Sequence, residues 1–187
     1  MLIGGGIGAG KSRVASLFAR HGFSWISTDD VGRDVLAGGS RAVEAVRALW
    51  PSVVDGDAID RAGLARIVFT DGAALAQLEA ITHPEIERSV RDQIAQSSAP
   101  TVIEVPVTKV LQTDRYTRVA VVAPSDVRMA RAVSRGGDVV DVRRRMASQP
   151  TDDDWRSWAD VVVDNSGAWD ETERWVCALI EEILADV

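Results

Sequence analysis

Cysteine is almost absent from this chain: Cys177 is the only one in 187 residues. A single thiol excludes an internal disulfide framework and any metal site built on several cysteines. It falls in an apolar stripe near the C-terminus and reads as core packing, as free cysteines usually do. Lysine is nearly as scarce, with Lys11 and Lys109 alone, so arginine carries almost all the positive charge. That charge is also outweighed. A formal net charge of −7 denies the chain the broad cationic face that general nucleic-acid or membrane-surface binding requires. A phosphorylated small molecule needs only a local cationic pocket and is not excluded. No apolar run approaches the length that spans a bilayer. The N-terminus passes straight into strand and glycine loop, without a charged leader and apolar segment. Internal repeats and low-complexity tracts are lacking too. The expectation is a soluble, cytoplasmic protein with small-molecule partners, neither nucleic acid nor membrane among them, and an undetermined oligomeric state.

What is present suffices for one buried core. Hydrophobic residues make up 46% of the chain, which favours a packed globule over disorder. Met1 to Gly4 reads as a short strand, Gly4 to Gly10 as a glycine loop, and Lys11 to Arg20 as a helix carrying Val14, Leu17 and Phe18 at helical spacing. A second strand spans Ser24 to Thr28 and ends at Asp29 and Asp30. From Val31 to about Ser98 apolar positions recur every three or four residues. Gly38-Gly39, Pro51, Asp55-Gly56 and His83-Pro84 interrupt that run as turn signals. This stretch is too long for one crossover and reads as an inserted helical subdomain. Strand character returns at Thr101 to Val105, Arg118 to Ala123 and Asp160 to Asp164, in short Val- and Ile-rich runs suited to burial on both faces. An arginine-rich helical stretch, Arg128 to Gln149, separates the last two. A final amphipathic helix places Trp169, Val176, Leu179, Ile180, Ile183 and Leu184 on one side. Strands alternating with helices imply an α/β fold: a parallel sheet with helices on both faces.

The strongest chemical signal is Gly5-Gly6-Ile7-Gly8-Ala9-Gly10-Lys11-Ser12, a full match to G-x-x-x-x-G-K-[ST]. Glycines let successive backbone N–H groups turn inward on a phosphate, and the helix that begins near Lys11 adds the positive end of its dipole. Lys11 can reach the outer phosphates and the Ser12 hydroxyl can ligate Mg²⁺. Nucleotide binding follows, but GTPases and ATPases share this cradle with kinases. Asp29, at the carboxyl end of the second strand, could orient an acceptor hydroxyl, take its proton or hold Mg²⁺ through water; it could equally be a helix N-cap. Arg128, Arg131 and Arg135 share one helical face, and Arg143, Arg144 and Arg145 follow a break at Gly136-Gly137. Such a row is either a solvated charged face or a hinged group that neutralises phosphoryl charge after ATP binds.

Taken in order, these residues resemble the dephospho-CoA kinases, which add the final 3′-phosphate to coenzyme A, and the resemblance covers essentially the whole chain. The cradle is close to the family's G-G-I-G-S-G-K-S. The family's D-A-D-x-x-A-R lies over Ser27-Thr28-Asp29-Asp30-Val31-Gly32-Arg33, with its last Asp on Asp29 and its Arg on Arg33. Ile59-Asp60-Arg61-Ala62-Gly63-Leu64 is similar to L-D-R-x-x-L, and Glu79 to Pro84, containing His83, to L-E-x-I-x-H-P. Arg131 and Arg135 fit R-x-x-x-R, Arg145 to Gln149 fits R-x-x-x-Q, and Ala159 to Asn165 fits A-D-x-x-x-x-N.

The resemblance implies a three-layer P-loop kinase domain over residues 1–187, with a parallel five-stranded sheet. Residues 1–29 and 99–187 would form the nucleotide-binding core, 30–98 a helical acceptor-binding insertion, and about 135–150 an arginine-bearing lid. It implies that Asp29 is the catalytic carboxylate near the acceptor hydroxyl, with Arg33 and His83 toward the acceptor. Gly6, Gly8, Ala9, Gly10, Lys11, Ser12, Arg13 and Asn165 would attend ATP, and Ser12 the Mg²⁺. Lys11, with Arg135 and Arg145 from the lid, would stabilise the transferring phosphoryl group. Three departures stand out. Ser27 replaces the first Asp of D-A-D, and Arg13 stands where a small hydroxyl residue is usual. Pro106-Val107-Thr108-Lys109-Val110 replaces P-L-L-x-E, losing its Glu, while Glu104 keeps a carboxylate nearby. These changes leave the cradle intact and bear on the acceptor, so a kinase for another small acceptor and a non-catalytic nucleotide-binding regulator also fit the residues.

Overall fold

A computed structural model of the chain describes residues 1–106, 111 and 116–185. Strand β1 (Leu2–Gly4) leads through the glycine loop into α1 (Lys11–Arg20), and β2 (Ser24–Ser27) follows. Next come α2 (Thr28–Val35), α3 (Arg41–Leu49), a 3₁₀ turn at Pro51–Val53, β3 (Val54–Asp55), β4 (Ala58–Ile59), α4 (Arg61–Val68) and α5 (Gly72–Gln96). The chain returns to strand in β5 (Thr101–Glu104) and β6 (Arg118–Val122). It then runs through α6 (Ser125–Ser134), α7 (Val139–Ser148) and α8 (Asp152–Trp158) to β7 (Val161–Asp164) and α9 (Trp169–Ala185). These elements fall into two compact units, one comprising Met1–Ser27 with Ser97–Val187 and the other Thr28–Gln96.

The first unit holds a five-stranded parallel sheet in the order β2-β5-β1-β6-β7. The period-two alternation of a strand explains its layers. Val119 and Val121 of β6 join Ile3, Val14, Phe18, Val176 and Ile180 in the core under α1 and α9. Their neighbours Ala120 and Val122 face the other way, onto Trp155 of α8. Both faces are therefore covered, as the unbroken Val-rich runs require. Trp155 is fully buried and stands edge-on to Trp158 at 5.3 Å; Phe18 and Phe23 make the same contact at 5.2 Å. Cys177 packs half-buried against the α1–α9 core. Leu184 departs from the expected stripe and is 41% exposed, because the apolar cluster ends at Ile183 and the last helical turn runs past it.

Strand ends also differ by a residue from the sequence reading. Thr28 opens α2 instead of closing β2, and Val105 leaves the sheet while still donating its N–H to the Ile3 carbonyl at 2.9 Å. Asp160 precedes β7, and its carboxylate accepts from both the Arg118 backbone N–H and its guanidinium. The Arg118 hydrogen bonds hold the Asp160 carboxyl down at about 2. The arginine stretch is split into α6 and α7 at the Gly136-Gly137 turn, and α8 follows, started by a capping box of Thr151 and Asp154.

The second unit packs α3, α4 and α5 around Val46, Val53, Leu64, Val68 and Ala74. Asp60 caps α4 by accepting the Gly63 N–H at 2.9 Å. Two sequence expectations need correction here. The Asp55-Gly56 turn does not simply separate helices; it closes the β3–β4 hairpin. His83-Pro84 does not end a helix either, since α5 continues through Pro84 to Gln96. Proline removes one helical donor. Burial of Thr82, Ile86 and Val90 on a single face carries the helix across that gap. No helix among the described residues is long and apolar enough to cross a membrane.

Candidate active site

The parallel strands bring Gly4, Glu104, Val122 and Asp164 to their carboxyl ends, where ligands of such sheets bind. The glycine loop starts there. At Gly8 the backbone takes φ +78°, and a Cβ would lie 2.2 Å from the Arg128 carbonyl oxygen, so only glycine fits. The loop is braced from two remote places, one of them held in turn by a third residue. Ile7 N–H donates to Gln149 Oε1 at 2.7 Å. Asn165 Nδ2 donates to the Ala9 carbonyl at 2.7 Å, while its Oδ1 accepts from Thr172. Arg131 Nη1 in turn donates to the Asn165 carbonyl at 2.8 Å. Asn165 is buried at 3% exposure; its side chain holds the loop rather than facing solvent.

Lys11 and Ser12 open α1. The Lys11 ammonium folds back toward the Gly6 carbonyl at 3.5 Å, and Ser12 Oγ donates to Glu104 Oε1 at 2.7 Å. A hydroxyl beside a carboxylate is a hard-oxygen pair suited to Mg²⁺, which typically takes one or two carboxylates plus substrate phosphates and water. Arg13 lies with its guanidinium 3.7 Å from the Trp169 ring centroid, a cation–π contact. Trp169 Nε1 donates to Glu173, whose carboxyl Arg20 and then Trp169 hold below the usual carboxylate range.

Arg135 and Arg145 meet across a cavity of about 530 Å³ lined also by Ile7, Gly137, Asp138 and Asp141. Both arginines are exposed. Arg135 caps α6, its Nε donating to the Arg131 carbonyl, whereas Asp141 pairs with Arg144 at 2.6 Å and Arg145 at 2.8 Å. The six arginines thus have unlike surroundings. Arg128 is buried, Arg131 holds the Asn165 segment, and Arg135, Arg143, Arg144 and Arg145 are exposed.

In the second unit, Asp29 is exposed in the first turn of α2. Arg33, one turn later, pairs with Asp30, and its carbonyl accepts from Arg61 at 2.8 Å. His83 is half-buried on α5, against which α2 packs. The altered segment containing Lys109 lies outside the described residues. The sequence alone gives no loop-bracing role to Gln149 or Arg128. For Gln149 a signal exists in its four-residue spacing from Arg145; nothing local marks such a role for Arg128.

A protein-family model described as dephospho-CoA kinase matches residues 1–171. The dephospho-CoA kinase of Corynebacterium glutamicum is 40% identical over 192 residues, spanning 98% of this chain and 96% of its own. Among solved structures, TT1252 from Thermus thermophilus superposes with a TM-score of 0.82 at 30% identity, covering 97% of this chain and 95% of that one. A dephospho-CoA kinase from Campylobacter jejuni gives 0.70 at 20% identity with the same coverage, a likeness of fold.

Proposed function

The chain belongs to the dephospho-CoA kinase family, and from that premise we propose that it transfers the γ-phosphoryl group of ATP to the ribose 3′-hydroxyl of dephospho-coenzyme A, giving coenzyme A and ADP. It is a phosphotransferase with an alcohol acceptor and small-molecule substrates. The observation that carries the residue assignment is the cradle itself, where Lys11 folds over the loop and Ser12 meets Glu104 at 2.7 Å.

In this reading the backbone amides of Gly8, Gly10, Lys11 and Ser12 bind the β- and γ-phosphates, Gly6 and Ala9 shape the turn around them, and the Lys11 ammonium neutralises the bridging charge. Ser12 and Glu104 hold Mg²⁺, which supplies charge neutralisation on the phosphates when bound. Asn165 acts by fixing the loop at Ala9, and Arg13 lies beside the nucleotide with Trp169 behind its guanidinium. Asp29 orients the acceptor hydroxyl and accepts its proton as the oxygen attacks phosphorus in line. Arg33 and His83 hold the acceptor. Arg135 and Arg145 leave their protein partners to stabilise the equatorial oxygens in the transition state. The setting is the cytoplasm, where ATP is regenerated.

Asp29→Asn separates these roles. The variant is expected to bind ADP as the wild type does and to lose about 10²- to 10⁴-fold in kcat, the range of general-base catalysis. Equal turnover by wild type and variant would remove Asp29 from the mechanism.

A further inference from the structure

Arg128 is the one charged side chain among the described residues that is buried, at 5% exposure. The phosphate-binding reading above gives it no task. Its Nε donates to the Ala123 carbonyl at 3.1 Å, just beyond β6, and its Nη2 lies 3.3 Å from the Asp152 carboxylate in the first turn of α8. The third nitrogen, Nη1, is buried without a hydrogen-bond partner. A buried guanidinium hydrogen left unpaired is costly and calls for a reason.

The reason lies in what surrounds it. A Cβ on Gly6 would fall 2.0 Å from Nη1, and a Cβ on Gly8 would fall 2.2 Å from the Arg128 carbonyl oxygen. One residue therefore packs its guanidinium against one glycine of the cradle and its backbone against another. Gln149 Oε1, which holds the Ile7 amide, lies 3.6 Å from the same Gly6 Cβ position. We infer that Arg128 is a positioning residue for the nucleotide: anchored on Ala123 and Asp152, it sets the backbone of Gly6 and Gly8 in the phosphate-accepting conformation. Its Nη1 donor takes a partner when phosphate occupies the preformed loop.

This rests on the reading of the cradle as an ATP site, and the probe is chosen to keep the two apart. ADP binding is measured by calorimetry on wild type, Arg128→Met and Arg128→Gln, together with steady-state kinetics. Arg128→Met keeps the packing volume and loses every donor; it is expected to weaken ADP about tenfold, by analogy with losing a charge-assisted contact. Its kcat at saturating ATP and its KM for the acceptor should stay within about threefold of wild type, a split that general unfolding would not produce. Arg128→Gln restores a donor and is expected to recover ADP binding to within about threefold. If Arg128→Met does not fold, Asp152→Asn frees the anchored guanidinium and should weaken ADP about threefold at unchanged kcat. The inference is overturned if folded Arg128→Met binds ADP as wild type does, if Arg128→Gln is no better than Arg128→Met, or if Asp152→Asn leaves ADP binding unchanged. Wild type that fails to bind ADP overturns the cradle reading instead.

Discussion

The glycine loop, through Ile7, and Arg145 of α7 line the same cavity, yet the loop and the arginines of α7 are anchored in different ways. The loop is tied to residues far along the chain: Ile7 to Gln149, Ala9 to Asn165, and Ser12, at the start of α1, to Glu104. Arg144 and Arg145 pair with Asp141 three and four residues away on their own helix. The link from α7 to the loop is Gln149, at its C-cap. Contacts between distant segments fix a geometry only when the whole unit is folded, so they suit a site that must be preformed. Exposed pairs within one helix contribute only about 0.3–0.5 kcal/mol each. Phosphate oxygens can replace Asp141 at that cost. In our reading the loop binds and the lid turns over.

That division can be broken by substitutions. The largest expected effect is Lys11→Ala, which should lower kcat/KM by about 10³-fold or more, in the range of a lost phosphate clamp. Arg145→Ala should lower kcat by about 10²-fold while ADP affinity and melting temperature stay at wild-type values. A parallel loss of ADP binding would put the lid in the same class as the loop. Gly8→Ala combines a strained φ with a clash against the Arg128 carbonyl. It should cost about 1–3 kcal/mol, read as a melting temperature lower by about 2–4 °C per kcal/mol. Asp141→Asn releases Arg145 and should shift the KM for ATP by no more than about twofold, the scale of one exposed pair.

The smallest effect is remote from both regions. The Asp160 carboxyl is held at about 2 by Arg118, below its ordinary value near 3.9. A depressed carboxylate stabilises the fold above the unfolded pKa and loses that contribution as pH falls. Melting curves between about pH 4 and pH 2 should therefore show a steeper acid loss for wild type than for Asp160→Asn. Identical slopes would remove this ion pair from the account.

The same comparison explains what the sequence could disclose. The cradle is legible because its eight residues are contiguous and each type is dictated by phosphate chemistry. The sheet is legible because strands buried on both faces must be Val- and Ile-rich, as Val119 to Val122 are. How the cradle is braced is not legible: motif spacing marks Gln149 and Asn165 without giving their contacts, and nothing marks Arg128 for this task, because all three reach the loop only through folding. Pro84 misled because local propensity was overruled by packing of Ile86 and Val90. The β3–β4 hairpin was missed because two-residue strands carry no periodic pattern. Asp29 is marked by its place at the carboxyl end of the second strand, Arg33 and His83 only by motif order.

The most direct test of the central claim is mass spectrometry of the products after wild type, Lys11→Ala and Arg145→Ala are incubated with MgATP and dephospho-coenzyme A. The account predicts coenzyme A and ADP in equal amounts from wild type, none from Lys11→Ala, and a slowed but detectable yield from Arg145→Ala. Coenzyme A formed at the wild-type rate by Lys11→Ala, or ADP released by wild type without coenzyme A, would contradict it.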